Sequence, residues 1–200
     1  MDYMLGGISV AILVTDGFEQ IELTKPQEAI AEAGGSTKII STRRGKVQGF
    51  NHDAKADALD IDLTFDEADP EDFDAVLLPG GALNADQIRA IPQAQQFVRS
   101  MQQTGKPIAV ICHGAWLLVS AGLVQGRTLT SWPTLQDDIR NAGGKWIDQE
   151  VVVDDNLVSS RKPADIPAFN DKMLALLSSR LQASVRGTRD EQSSSIGTSG

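Results

Sequence analysis

The chain has 200 residues, 41% of them hydrophobic, and carries 18 basic against 27 acidic side chains for a formal net charge of −9. That length suits one buried core with an appendage, and the negative charge, with no basic cluster to offset it, argues against binding a phosphate backbone. No apolar run approaches the roughly 20 residues that span a bilayer, and one cysteine with two histidines forms no internal disulfide and is too small a set for a dedicated zinc site, a pattern that fits a reducing cytoplasm.

In chain order, ISVAILV (8–14) reads as a buried strand by its unbroken apolar character. The opening MDYMLGG has no basic n-region, so it reads as the approach to that strand rather than as a signal peptide. DGF turns into a helix from about Ile21 to Ala33, which Gly34-Gly35 ends. TKIIST (37–42) is a second strand, and KVQGFNHDAKADALDI (46–61) alternates weakly, as a hairpin or small excursion does. DPEDFD (69–74) caps AVLLPGG (75–81), a third core strand. PQAQQFVRSMQQTG (92–105) is helical, with Phe97 and Met101 on one face. PIAVIC (107–112) is a fourth core strand, followed by a helix over GAWLLVSAG (114–122). TLTSWP (128–133), a helix over 134–144, a hairpin in VVVDDNLVSS (151–160) and a last helix from about Pro163 to Leu181 complete the pattern. Strands alternating with helices predict an α/β fold, a doubly wound and mostly parallel sheet with helices on both faces, in one domain over 1–182. Residues 183–200, polar and rich in serine and glycine, read as a disordered tail.

AVICHGAW (109–116) holds the only cysteine, Cys112, with His113 directly after it. Free cysteine is a common core residue, yet the carboxyl edge of an open α/β sheet is where ligands bind. On the residues alone both readings stay open. In favour of a reactive sulfur, the strand passes sharply into a helix, as at a nucleophile elbow, although the G-x-S-x-G pattern is absent. Gly114 relieves crowding there, and a helix N-terminus favours a thiolate. Pro79-Gly80-Gly81 ends the neighbouring strand at the same edge, where its N–H groups can meet an oxyanion.

Taken singly, the other candidates have plainer readings. Glu19 is an acid at a helix start, Asp86 a helix N-cap, His52 a loop residue at the surface, and Trp132 core or pocket wall. His113 is a structural hydrogen-bonder or a base, and successive side chains diverge, which opposes a base next to its own nucleophile. Asp137-Asp138 is a solvated helix face, because nothing nearby completes an oxygen cage.

Taken together, DGFEQIEL (16–23), LLPGG (77–81), AVICHG (109–114), TSWP (130–133) and VVVDDNLVSSRKPAD (151–165) resemble the ThiJ/PfpI superfamily, in its PfpI-like stress-protein branch. The resemblance runs from about residue 8 to residue 181. It implies a flavodoxin-like fold of the class I glutamine amidotransferase type, self-association into dimers or hexamers, and no metal or organic cofactor. It also implies Cys112 as nucleophile on a strained elbow, Glu19 as the acid that hydrogen-bonds its sulfur, His113 as the histidine after the cysteine, and an oxyanion site at Gly81 and the His113 amide. In that branch a glutamate from a neighbouring subunit, following the paired glycines, orients the histidine. Here GGALNADQ is one residue longer and Asp86 stands nearest.

The activity so implied is cysteine-dependent chemistry on reactive dicarbonyls or on their protein adducts, of glyoxalase or deglycase type, with Glu19 carrying the proton. The expected partner is a small carbonyl substrate or a glycated protein, with no role for nucleic acid or membrane. An intracellular peptidase or amidase is the alternative within the same chemistry. A redox sensor or a stress chaperone is the alternative outside catalysis.

Overall fold

A computed structural model describes residues 3–179; the predicted tail lies outside the described residues. In chain order the elements are strand β1 (Ser9–Leu13), β2 (Phe18–Glu19), helix α1 (Gln20–Glu32), β3 (Ser36–Ser41), β4 (Lys46–Asn51), β5 (Ala54–Asp60), β6 (Leu63–Thr64) and β7 (Ala75–Leu78). Helices α2 (Ala82–Ile88) and α3 (Pro92–Gln103) precede β8 (Ile108–Ile111) and α4 (Ala115–Ser120). Then come β9 (Thr128–Leu129), α5 (Gln136–Asn141), β10 (Lys145–Trp146), β11 (Val151–Asp154) and β12 (Leu157–Ser160). Helix α6 covers 166–179.

Seven strands form the main sheet in the order β11-β12-β8-β7-β1-β3-β6, parallel throughout except for the β11–β12 hairpin at one edge. From β1 the chain steps to β3 on one side and then returns to β7 on the other. That reversal opens a crevice at the carboxyl ends of the central strands.

Alternation along each strand splits the core into two layers. Ala11, Leu13, Val76, Leu78, Ile108 and Val110 pack on one face with Phe97 and Met101 of α3, Leu117 of α4 and Ile139 of α5. Val10, Ile12, Ala75, Leu77, Ala109 and Ile111 pack on the other with Leu23 and Ile30 of α1 and Phe169 and Met173 of α6. Because both faces are covered, the strands are apolar without a break. Cys112 belongs to the layer of α1 and α6.

The predicted stretch 46–61 is an antiparallel hairpin, β4–β5, which pairs with β2 in a separate small sheet and turns at His52-Asp53. Helix α1 ends as expected, with Gly34 at φ +88° and the Gly35 amide donating to the Ile30 carbonyl at 2.9 Å. Pro26 lies inside α1 and is buried. It has no N–H to donate to the carbonyl of Glu22, and its burial with Leu23 and Ile30 holds the helix together across that missing bond. Helix α2, directly after the paired glycines, was not among the predicted elements; its seven residues are too few to show a clear period.

Candidate active site at the carboxyl edge of the sheet

Three loops meet where β1, β7 and β8 end. Cys112 is the first residue after β8 and has φ +62°, a left-handed conformation that costs a non-glycine residue about 1–3 kcal/mol. It is 5% exposed. The neighbouring glycines are required by contact. A Cβ on Gly80 would stand 2.6 Å from Cys112 Cβ and overlap Glu22 Oε2, and one on Gly114 would stand 2.5 Å from the Leu78 carbonyl oxygen. Gly81, at φ +87°, lies flat against the backbone of Gly17 and Glu19. These glycines let the end of β7 and the turn after β8 approach within backbone contact.

A buried asparagine fastens the loops. Asn84 of α2 accepts the Thr15 amide on Oδ1 at 2.7 Å and donates Nδ2 to the carbonyls of Pro79 (3.2 Å) and Gly80 (3.0 Å). It joins the end of β1 to the end of β7. Its sequence signal is slight, since a polar residue in a glycine-rich turn ordinarily reads as loop.

The acid against the sulfur is Glu22, not Glu19. Glu22 has no exposed surface, its Oε2 accepts the Gly80 amide at 2.8 Å, and its carboxyl hydrogen-bonds the Cys112 thiol. Its Oε1 has no hydrogen-bond partner among the described residues. Glu19 lies at the start of the same helix, and its Oε2 accepts the backbone amide of His52 at 3.0 Å. The reason is helical phase. Glu22, Pro26 and Ile30 recur at intervals of four and line the buried stripe of α1, whereas Glu19 precedes the first turn and meets the β4–β5 hairpin instead. A carboxylate on an apolar stripe is a signal present in the sequence.

Burial pushes the Glu22 carboxyl up to about 8, against hydrogen bonds from Cys112 and Gly80 that favour its charged form; Glu19 nearby adds to the rise. The Cys112 thiol is also pushed up, first by burial and then by the charge of Glu22, while the amides of His113 and Gly81 favour its anion. The expected low thiol pKa is therefore absent from this resting arrangement. Each charge opposes the other, so the two groups titrate as a unit.

His113 turns back on its neighbour, with Nδ1 3.3 Å from Cys112 Sγ. The predicted divergence of successive side chains does not occur, because the left-handed turn at Cys112 redirects the chain. Burial lowers the imidazole pKa and favours its neutral form. The ring stacks on Trp132 (centroids 5.4 Å apart) and meets Trp116 edge-on. Trp132 in turn donates its amide to the Cys112 carbonyl at 3.1 Å. No carboxylate among the described residues pairs with His113. Asp86 is neither an N-cap nor near the imidazole: it is exposed within α2, whose N-cap is Gly81.

A cavity of about 390 Å³ opens over this floor and is lined by Glu19, Glu22, Phe50, His52, Asp53, Gly81, Leu83, Cys112, His113 and Trp132, among others. His52, read as a surface residue, is indeed exposed, yet it borders the cavity. The pair Asp137-Asp138 lies elsewhere; Asp138 accepts the Trp116 indole N–H at 3.0 Å and Asp137 pairs with Arg140. Among the described residues no group of three or more His, Cys, Asp or Glu side chains is placed to hold a metal ion, and no helix is long and apolar enough to cross a membrane.

A single-domain, mostly parallel α/β sheet with a cysteine on a strained turn and a buried carboxyl beside it defines the class. The DJ-1/PfpI family model matches residues 8–176, and the chain belongs to that family. It is 44% identical over 170 residues to a deglycase of Thermococcus kodakarensis, covering 85% of this chain and 99% of that one. It is likewise 44% identical over 170 residues to protein/nucleic acid deglycase 2 of Escherichia coli, covering 84% and 96%. Among solved structures, a two-domain protein of Anabaena variabilis with a DJ-1/ThiJ/PfpI-like and a ferritin-like domain superposes with a TM-score of 0.80 at 32% identity. That match covers 85% of this chain and 48% of the other.

Proposed function

We propose that the protein is a cysteine-dependent enzyme acting on reactive dicarbonyls or their protein adducts, with Cys112 as nucleophile and Glu22 as proton carrier. The observation that carries the reading is a wholly buried carboxyl hydrogen-bonded to the thiol on the floor of a small cavity. The names of the two deglycase relatives support the same class.

Losing one proton from the Cys112–Glu22 pair leaves a monoanion with two tautomers. In the nucleophilic one the proton sits on Glu22 and the sulfur is a thiolate held by the Gly81 and His113 amides. Attack on the aldehyde carbon of methylglyoxal forms a C–S bond, and the resulting alkoxide takes the Glu22 proton to give a hemithioacetal. The carboxylate then removes the proton on that carbon and returns it to the adjacent one, so the thiol adduct becomes a lactoyl thioester without net oxidation. Water cleaves the thioester to lactate and restores the thiol. On an amine adduct, the same attack breaks the C–N bond and releases the amine.

The test is lactate formation from methylglyoxal without glutathione, and amine release from a methylglyoxal-treated peptide, by the wild type and by Cys112→Ser. No turnover of either by the wild type would overturn the reading. The 3.3 Å approach of His113 to Sγ favours a second one, a peptidase or amidase with a Cys–His pair. That reading needs an acid for the imidazole from outside this chain's described residues. Asp86 of a neighbouring subunit in a dimer or hexamer would have to supply it, and amide cleavage would then vanish on dissociation.

A further inference from the structure

We propose that Glu19 and Asp53 make the cavity a charge filter, admitting neutral and cationic carbonyl compounds and turning away those that carry a carboxylate, such as 2-oxo acids. This deepens the proposed function by naming the substrate class of the same site. The cavity takes carboxyl groups from two elements, Glu19 and Glu22 at the start of α1 and Asp53 at the tip of the β4–β5 hairpin. No lysine or arginine among the described residues lines it. Below the rim, Glu22 is completely buried and one of its oxygens has no partner. Phe50 and Trp132 add aromatic side chains to the lining, which brings no positive charge to offset the carboxylates.

Position separates the two rim acids. The Glu19 side chain is only 12% exposed and is held by the His52 amide, so solvent screens its charge little. Asp53 is exposed and contributes less. The His52 ring, 83% exposed with Nδ1 3.8 Å from Glu19, would offset the rim charge only when protonated. An anionic substrate approaching the sulfur must pass these carboxylates and leave water beside them. A guanidinium or ammonium next to the carbonyl carbon gains from each.

Because the chain has a single cysteine, the filter is measurable without turnover. Three methanethiosulfonates of similar size, one cationic (trimethylammonium-ethyl), one neutral (hydroxyethyl) and one anionic (sulfonatoethyl), each form a mixed disulfide with the thiolate and release methanesulfinate. At about pH 8, second-order rates are measured for the protein and for N-acetylcysteinamide. The ratio of cationic to anionic rates, divided by the same ratio for the free thiol, cancels the thiolate fraction and leaves the field of the site. The expected normalised ratio is about 30-fold or more at low salt and falls as salt is added. Glu19→Gln lowers it by about 10-fold, and Asp53→Asn, at an exposed position that the fold does not depend on, by about 2-fold. A normalised ratio near one, or one unchanged in both variants, overturns the filter. In parallel, glyoxylate, which can add to the thiol but has no adjacent ketone to isomerise, is tested as a competitive inhibitor of methylglyoxal turnover, its inhibition constant being expected to fall by at least about 10-fold in Glu19→Gln. Charge-selective labelling without dicarbonyl turnover would sink the proposed function and leave the filter standing; turnover without charge selection would do the reverse.

Discussion

The floor and the rim of the cavity each take one acid from the same helix start, yet they follow opposite rules. On the floor, Cys112, Glu22, Gly80 and Gly114 leave no room: no side chain fits on either glycine, the carboxyl sees no water, and its proton affinity rises. At the rim, Glu19 and Asp53 meet a hairpin turn whose His52 side chain is exposed. Three residues along the chain thus separate the acid proposed to carry a proton from the acid proposed to shape the local field. Burial, rather than residue type, assigns the role.

The comparison breaks most sharply at the sulfur. Cys112→Ser should lower dicarbonyl turnover by about 10³-fold or more while circular dichroism and Tm stay near wild type, since a serine hydroxyl beside Glu22 lacks the acidity to become the nucleophile. Retention of a tenth of wild-type turnover would move the chemistry elsewhere.

Next comes the acid. Glu22→Gln should cost about 10²-fold in kcat, the usual scale for a positioned acid–base group. The pH profile carries the same comparison. Deprotonation of the Cys112–Glu22 pair creates the nucleophile, so kcat/KM should rise with pH and level off above about 8, where burial has placed the Glu22 carboxyl. In Glu22→Gln that limb should move upward to the thiol's own titration. A wild-type profile flat from about pH 6 to 9 would exclude the pair as the titrating unit.

Packing effects should be intermediate. Gly80→Ala forces a methyl against Cys112 and Glu22, both buried and unable to retreat. Overpacking of that kind costs about 1–3 kcal/mol, read as a fall of several degrees in Tm. An unchanged Tm would mean that the loop after β7 yields more readily than its contacts imply. The smallest effect is expected at the rim, where Glu19→Gln should change kcat for neutral methylglyoxal by less than about 3-fold. A loss as large as that of Glu22→Gln would erase the distinction between floor and rim.

Much of this protein was legible from local pattern. Unbroken apolar runs at ISVAILV, AVLLPGG and PIAVIC marked strands covered on both faces, and their alternation with helices marked a doubly wound sheet. The position of Cys112 at the end of such a strand placed it at the ligand-binding edge. These are short-range facts, because side-chain period and strand ends are set by neighbours in sequence. The partner of the sulfur was not decided there. Choosing Glu22 over Glu19 depends on where α1 begins and which way it is rotated on the sheet, and an error of one residue turns a helix by about 100°. The contact of His113 with its own neighbour depends on a left-handed backbone at Cys112, which residue type disfavours and only surrounding structure imposes. Asn84 and Asp86 stand two residues apart on one short helix, one buried between two loops and the other exposed. Nothing local distinguishes them. Burial, proton affinity and the joining of distant loops are properties of packing among segments far apart in the chain, so only the tertiary structure could decide them.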